Sequence, residues 1–327
     1  MAVFLGGCSF AKKQQLVSQT YVSMGTVVGV NLYVEDMELG EETQTLIAQE
    51  LTRLEDEMLS YRVEGSEIWE INHSGGEPVQ LSDMLYRYLS DIWELSEKSG
   101  GALDVTVGEV TRLWNIDTYA GSPEGFALPE EETLAAALEN VGYEKIVMKQ
   151  SLTMPRGMTI DLGAVGKGIA CDVIQDILEE QRIPAAVISV GGSNLIWGKK
   201  ENGLGWMIGV THPREEGTYL GYLRLEGGCF VATSGDYERY VKVDGERYHH
   251  IMDPDTGYPA KSGVCSVTIV SDSGLLCDAL STACFVLGKN EGVKLAEQCG
   301  AEALFVEEDG TVTMTEGMKK LWLTEVK

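Results

Sequence analysis

Positive charge is scarce in this sequence: 25 Lys and Arg stand against 51 Asp and Glu, leaving a net charge of -26. Polyphosphate backbones and anionic bilayers are held by clustered cations, so nucleic acid is excluded as a main partner. Any phosphate must be held locally, by helix ends, glycine turns, a few basic side chains or a divalent cation. Long apolar runs are also missing, and no stretch reaches the roughly 18 residues of a membrane-spanning helix. Only four histidines occur, at 73, 212, 249 and 250, with no H-x-x-H or H-E-x-x-H spacing, which argues against a zinc hydrolase. The seven cysteines include no C-x-x-C pair, so neither a zinc ribbon nor a thioredoxin-like site is expected. G-x-x-x-x-G-K-[ST], G-x-G-x-x-G and G-x-S-x-G are all absent, although Ser193 follows Gly191-Gly192.

What is present is concentrated between Ile160 and Asp172, where an apolar residue leads into Asp161 and glycines at 163, 166 and 168 surround Lys167. Glycines let main chain approach a bound group, and a helix beginning here would offer free N–H groups beside the lysine charge. That composition suits a phosphate, and it also suits an ordinary strand-to-helix turn. Val165, Ile169, Val173 and Ile177 recur every fourth residue, so a helix follows and ends near Pro184.

Around this stretch the pattern alternates helices and strands. Tyr21 to Val34 is rich in β-branched residues and reads as an extended pair or one long interrupted strand, with Gly25 and Gly29 at bends. Helices are expected over Glu41 to Met58, after Ser66, after Ser82 until Gly100-Gly101, and over Glu130 to Asn140. A surface loop is expected between Asn115 and Pro129, and a strand over Lys145 to Lys149. From Ala185 to Val243 the sequence reads as successive strands, with a hairpin turn at Asp244-Gly245. The strand Ser266 to Val270 follows, then a helix opened by Asp278, another over Glu291 to Cys299, and a closing hairpin over Glu302 to Thr315.

Asp278 and Thr282, four apart, place a carboxylate and a hydroxyl on one helix face, as a hard cation such as Mg²⁺ would want and as a plain N-terminal acid would equally produce. A histidine beside Asp253-Pro254 could accept a proton or hold a phosphate. Asp104, in a small-residue turn after a helix stop, reads locally as a turn carboxylate.

Seven segments, taken in order, resemble the ApbE-type FAD:protein FMN transferases: Ser23-Met24-Gly25-Thr26; Ser60-Tyr61-Arg62 with Ser66-Glu67-Ile68 and Asn72; Gly101 to Val107; Ile160 to Ala164 with Lys167-Gly168; Val190-Gly191-Gly192; His250 to Pro254 with Thr256-Gly257; and Asp278 to Ala283. The resemblance implies an α+β, T-fold-like domain with mixed or antiparallel sheets flanked by helices. It implies Mg²⁺-dependent cleavage of FAD, with FMN passed to a Thr or Ser hydroxyl of a target protein and AMP released. Metal ligands would be the Ala164 carbonyl, Asp278 and Thr282, with Ser281 contributing. Flavin contacts would be Met24, Tyr61, Ala102, Leu103, Asp104, Asp161, Lys167 and Met252, with His250 as the base. The family more often has alanine at Gly166, tyrosine at Ile169 and valine at Cys171, and an aromatic and a proline at Leu103 and Val105. An FAD pyrophosphatase or a non-catalytic FAD-binding lipoprotein would share most of these residues.

Leu5-Gly6-Gly7-Cys8 has the form of a lipobox, although the basic segment and roughly 7–15 apolar residues of an export signal do not precede it. The reading is a lipid-anchored, extracytoplasmic protein with residues 1–20 as anchor and tether and 21–327 as one domain, working on membrane redox subunits or exported flavoproteins. Lipid alone would hold it to the membrane.

Overall fold

The computed structural model describes residues 13–201 and 203–324, so the lipobox-like segment lies outside the described residues. An eight-stranded sheet runs in the order Gln15–Ser23, Thr26–Val34, Ala185–Val190, Ser193–Gly198, Cys229–Gly235, Val264–Ser271, Glu302–Glu307, Val312–Met314. Every neighbouring pair in it is antiparallel, so of the expected mixed or antiparallel sheets the large one is antiparallel throughout. The first strand starts at Gln15, inside the segment expected to be tether. Leu16-Val17-Ser18 carries an alternation that pairs with Tyr33-Leu32-Asn31, and Val17 is buried, so folded structure begins before residue 21.

Helices Met37–Arg53, Gly166–Glu180 and Gly274–Gln298 cover one face, and the alternate residues Val28, Val30, Leu32 and Val34 point into that layer. A three-stranded sheet of Trp322–Leu323, Tyr219–Leu225 and Trp206–Thr211 contributes to a second core built on the opposite face, with Trp206, Leu223 and Met318 against Ile196 and Val231. The central strand Val264–Ser271 is therefore buried at every position, its small polar residues Ser266, Thr268 and Ser271 included. A third cluster, Val110, Trp114, Leu134, Val241 and Met252, packs the two-stranded ribbon Tyr240–Val243/Glu246–His249 against the helices around it.

Several expected boundaries shift. The last long helix starts at Gly274 with Ser273 as its cap, so Asp278 lies a full turn inside it rather than opening it. Gly288, at φ +75°, breaks that helix into the two expected ones. The expected loop after Asn115 holds a helical turn, Ile116–Tyr119, and the expected strand at 145–149 shrinks to Val147–Met148. After the closing hairpin come a helix, Glu316–Leu321, and the strand Trp322–Leu323. Cys171 and Cys284 are buried among apolar groups as expected, and the six described cysteines are all free thiols. No described helix is long and apolar enough to cross a membrane.

Candidate functional site

Two tight glycine contacts create the centre of the site. The helices Gly166–Glu180 and Gly274–Gln298 cross at Gly168 and Gly274, where a Cβ on Gly168 would stand 2.1 Å from the Gly274 carbonyl oxygen. This closeness brings Asp278 onto the first turn of the other helix. Its Oδ2 accepts from the Gly168 N–H at 3.0 Å and from Lys167 Nζ at 3.3 Å, while Oδ1 accepts from the Ser193 hydroxyl at 2.9 Å. Helical geometry would aim the Gly168 N–H at the Ala164 carbonyl; here it serves Asp278, and among the described residues none of the turn and cap hydrogen bonds ends on the Ala164 oxygen. Asp172 fixes the same crossing by accepting from the N–H groups of Gly274, at 2.5 Å, and Leu275, at 2.8 Å. Burial drives its carboxyl up to about 6.

Above this centre opens a cavity of about 620 Å³, large enough for a drug-sized or dinucleotide ligand. Met24 and Gly25, at φ +54° and +67°, turn the first hairpin so that Met24 enters the wall. Glu55 holds that turn, accepting from Met24 N at 2.7 Å and Ser23 Oγ at 2.8 Å. Glu55 belongs to a π-helical turn, Leu54–Leu59, that delivers Tyr61 to the wall directly afterwards, and Arg62 Nε donates to the Tyr61 hydroxyl at 2.9 Å. Such π-turns recur at functional sites. Burial, then Asp161, raises the Tyr61 phenol above its ordinary value.

Ala102, Leu103 and Asp104 follow the glycine stop at 100–101. Asp104 accepts from Thr106 N at 2.8 Å, Thr106 Oγ1 at 2.6 Å and Tyr143 N at 2.9 Å, so it shapes the wall from within; burial raises its carboxyl. Asp161 accepts from Gly163 N at 2.8 Å and is likewise raised by burial. Asn72 holds both main-chain groups of Ile160, at 2.9 and 2.7 Å, and so positions the loop before it.

On the far wall His250 Nδ1 lies 3.2 Å from the Arg239 carbonyl oxygen, which must accept, so Nδ1 carries the proton and Nε2 keeps its lone pair. Burial, then the Arg239 charge, pushes the imidazole well below its ordinary value and keeps it neutral. Its neighbour His249 is structural, with Nε2 3.0 Å from the Ala260 carbonyl and its ring edge-on to Phe285.

Every residue expected to contact flavin, namely Met24, Tyr61, Ala102, Leu103, Asp104, Asp161, Lys167 and Met252, lines this one cavity, as do Ala164, Thr282 and His250. Asp278 lies one layer behind it, reaching it through Lys167. Ser281 departs from the expected ligand set. Its fully buried hydroxyl donates to the Asp278 carbonyl at 2.8 Å and meets Ser234 Oγ at 2.7 Å, and Ser234, not Ser281, stands in the wall. Sequence reasoning also passed over Glu55, Ser193, Asp117 and Arg239. Ser193 could be seen only as a failed nucleophile motif, and Arg239, paired to Asp117 at 2.7 Å, comes from the bend just before the strand Tyr240–Val243, with no motif around it.

Lys167 Nζ meets the Asp278 carboxylate at 3.3 Å and the Gly163 carbonyl at 3.4 Å, Ala164 and Thr282 line the same cavity, and the oxygens these residues offer are all hard; no cluster of three His, Cys, Asp or Glu exists among the described residues. That chemistry fits Mg²⁺, which takes one or two carboxylates and completes its shell with phosphate and water.

The ApbE family model matches residues 24–305. An FAD:protein FMN transferase of Treponema pallidum is 31% identical over 341 residues, covering 96% of this chain and 91% of its own length. One from Vibrio cholerae is 31% identical over 301 residues, covering 90% and 88%. Among solved structures, the ApbE protein of Thermotoga maritima superposes with a TM-score of 0.86 at 33% identity, over 94% of this chain and 99% of that one. The flavinyl transferase ApbE of Pseudomonas stutzeri gives 0.81 at 28%, over 95% and 98%. The chain belongs to the ApbE family.

Proposed function

We propose that this protein is a Mg²⁺-dependent FAD:protein FMN transferase that joins FMN through a phosphoester to a Thr or Ser of a target protein. The observation that carries this is the meeting, in one cavity, of Ala164, Thr282, the Lys167 ammonium and a neutral His250, with the Asp278 carboxylate held against Lys167 one layer behind the wall. FAD is the substrate, and the flavin end is assigned to Met24, Tyr61, Ala102, Leu103, Asp104, Asp161 and Met252.

In the step proposed, the acceptor oxygen bonds to the phosphorus that bears riboflavin, and the bond from that phosphorus to the bridging oxygen breaks. AMP leaves with the electron pair, and the hydroxyl proton passes to His250 Nε2. The Lys167 ammonium offsets charge on the pyrophosphate, in a reaction whose catalysis is mostly positioning and charge neutralisation. Asp278, oriented by Ser193 and Gly168, would hold Mg²⁺ together with Ala164 and Thr282, and the ion when bound supplies Lewis-acid neutralisation of the phosphoryl oxygens.

The same reading places the protein outside the cytoplasm, anchored through lipid on Cys8, with membrane redox subunits or exported flavoproteins as targets. The Leu5–Cys8 motif supports it. Cys8→Ala should abolish incorporation of a labelled fatty acid in a bacterial host.

Intact-mass analysis tests the activity. Purified protein, FAD, Mg²⁺ and exported flavoprotein domains should give one domain that gains the FMN mass, with AMP released. Unchanged mass of all such domains overturns the transferase reading, and FMN plus AMP accumulating without any acceptor product replaces it with a pyrophosphatase.

A further inference from the structure

A second cavity, about 390 Å³, opens beside the first. One wall is the strand Tyr240–Val243, the other is the segment from Tyr119 to Pro123, and Glu238 lines both cavities. The Arg239–Asp117 ion pair, 2.7 Å, joins the two walls at the first cavity.

Register shows what the strand offers. Asp244-Gly245, both at positive φ, make a two-residue turn, so Val243/Glu246 and Val241/Tyr248 exchange hydrogen bonds, and His250 N–H donates to Arg239 O at 3.1 Å in the same series. The main-chain groups of Tyr240 and Lys242 therefore turn to the outer edge. The ribbon has only these two strands among the described residues, and the helical turn Ile116–Tyr119 packs beside this strand. The groove thus runs along an open strand edge, opposite the small residues Ala120 and Gly121. At its junction with the first cavity stands the Glu238 carboxylate, which makes no hydrogen bond or ion pair among the described residues.

We propose that this groove receives an extended segment of the acceptor protein, its main chain pairing with the Tyr240–Val243 edge and its Thr or Ser reaching the first cavity past Glu238. The assignment rests on the transferase reading of the first cavity. A Ser or Thr oxygen is only two bonds from Cα, so the acceptor's own main chain must lodge at the cavity mouth. An open strand edge is the standard way to hold a main chain with little regard to its side chains.

The probe is the domain that gains FMN mass with the unaltered protein. Lys242→Pro removes an outward N–H, and Ala120→Trp fills the groove from its other wall. Each should raise the KM for that domain about tenfold or more, with FAD affinity and melting temperature unchanged. Lys242→Ala, which keeps the N–H, should stay within about twofold. If Lys242→Pro fails to fold, Ala120→Trp decides alone. An unaltered acceptor KM in the folded variants, or FAD affinity falling in step with KM, overturns the groove assignment while leaving the transferase reading intact. Failure of every domain to gain mass with the unaltered protein would instead remove the reading on which it rests.

Discussion

Each oxygen of Asp278 already serves the protein, Oδ1 taking Ser193 and Oδ2 taking Gly168 N and Lys167. An ionised carboxylate has about four acceptor positions, so one remains for a cation even before Lys167 turns toward phosphate. Asp278→Ala removes the only carboxylate of the proposed metal set, and transfer should fall at least about 10²–10³-fold by intact-mass rate, the scale of losing a main electrostatic stabiliser. Ser193→Ala leaves the charge but frees Oδ1 to rotate, and a smaller loss, about tenfold, is expected together with a raised Mg²⁺ requirement. His250 sets the pH dependence. Its folded pKa is depressed by burial below the ordinary 6.5, so the neutral base persists as pH falls and the rate should drop only below 6.5. A rate profile falling already between pH 8 and 7 would contradict that role. The sequence marked His250 by its polar loop, yet which nitrogen is free depends on the Arg239 carbonyl across the hairpin, a contact that no local pattern encodes.

Helix crossing, rather than helix content, makes the site. The fourfold spacing of Val165 to Ile177 gave the helix, and its glycines suggested a close approach, but the partner at that approach is Gly274, about a hundred residues later. Periodicity cannot name such a partner, and the helix that carries Asp278 opens a turn earlier than the acid, at the Ser273 cap. Two substitutions in one helix separate the roles of its glycines. Gly168→Ala puts a methyl 2.1 Å from main-chain oxygen, which cannot rotate away, so the helices must part; about 1–3 kcal/mol of stability should be lost, and transfer with it. Gly166→Ala meets only the flexible end of Met24, at 3.4 Å, in helical backbone, and should gain about 0.5–1 kcal/mol with activity kept. Urea midpoints and transfer rates of both variants test this. Equal loss in both would mean the crossing is not what the glycines protect. The tether boundary shows the opposite limit, because Gln15 to Thr20 pairs with a strand already recognised, and its alternation was too polar to stand out alone.

At the scale of the whole molecule, acidity is readable because composition is an additive property of the chain, whereas mixed or antiparallel sheets follow only from the family resemblance, and neither the wholly antiparallel pairing of the large sheet nor the second core on its other face is written in a local pattern. The added C-terminal helix and strand are not readable either, since Glu316–Leu321 and Trp322–Leu323 are too short to show a period. A net charge of -26 repels itself in the compact state, so the melting temperature should rise with salt as the repulsion is screened. Superimposed on that is a specific term from Asp172. Its folded pKa, about 6, exceeds the ordinary 3.8, so its contribution to stability is complete below 3.8 and is lost as pH rises through about 6. Two such pKa units correspond to roughly 2–3 kcal/mol. His249 and His250 act oppositely: both are depressed by burial, so their contribution is present above 6.5 and lost as pH falls through their folded values. The raw pH profile therefore mixes two signs, and comparison with Asp172→Asn separates them, since the histidines are common to both proteins. The variant's stability relative to the parent should improve between pH 4 and pH 7, by an amount that survives 0.5 M salt because the group is buried. A parent-to-variant difference that stays flat across that range, or vanishes on adding salt, would show that Asp172 is as ionisable in the folded protein as in water and that its two helix N–H bonds fully offset its burial.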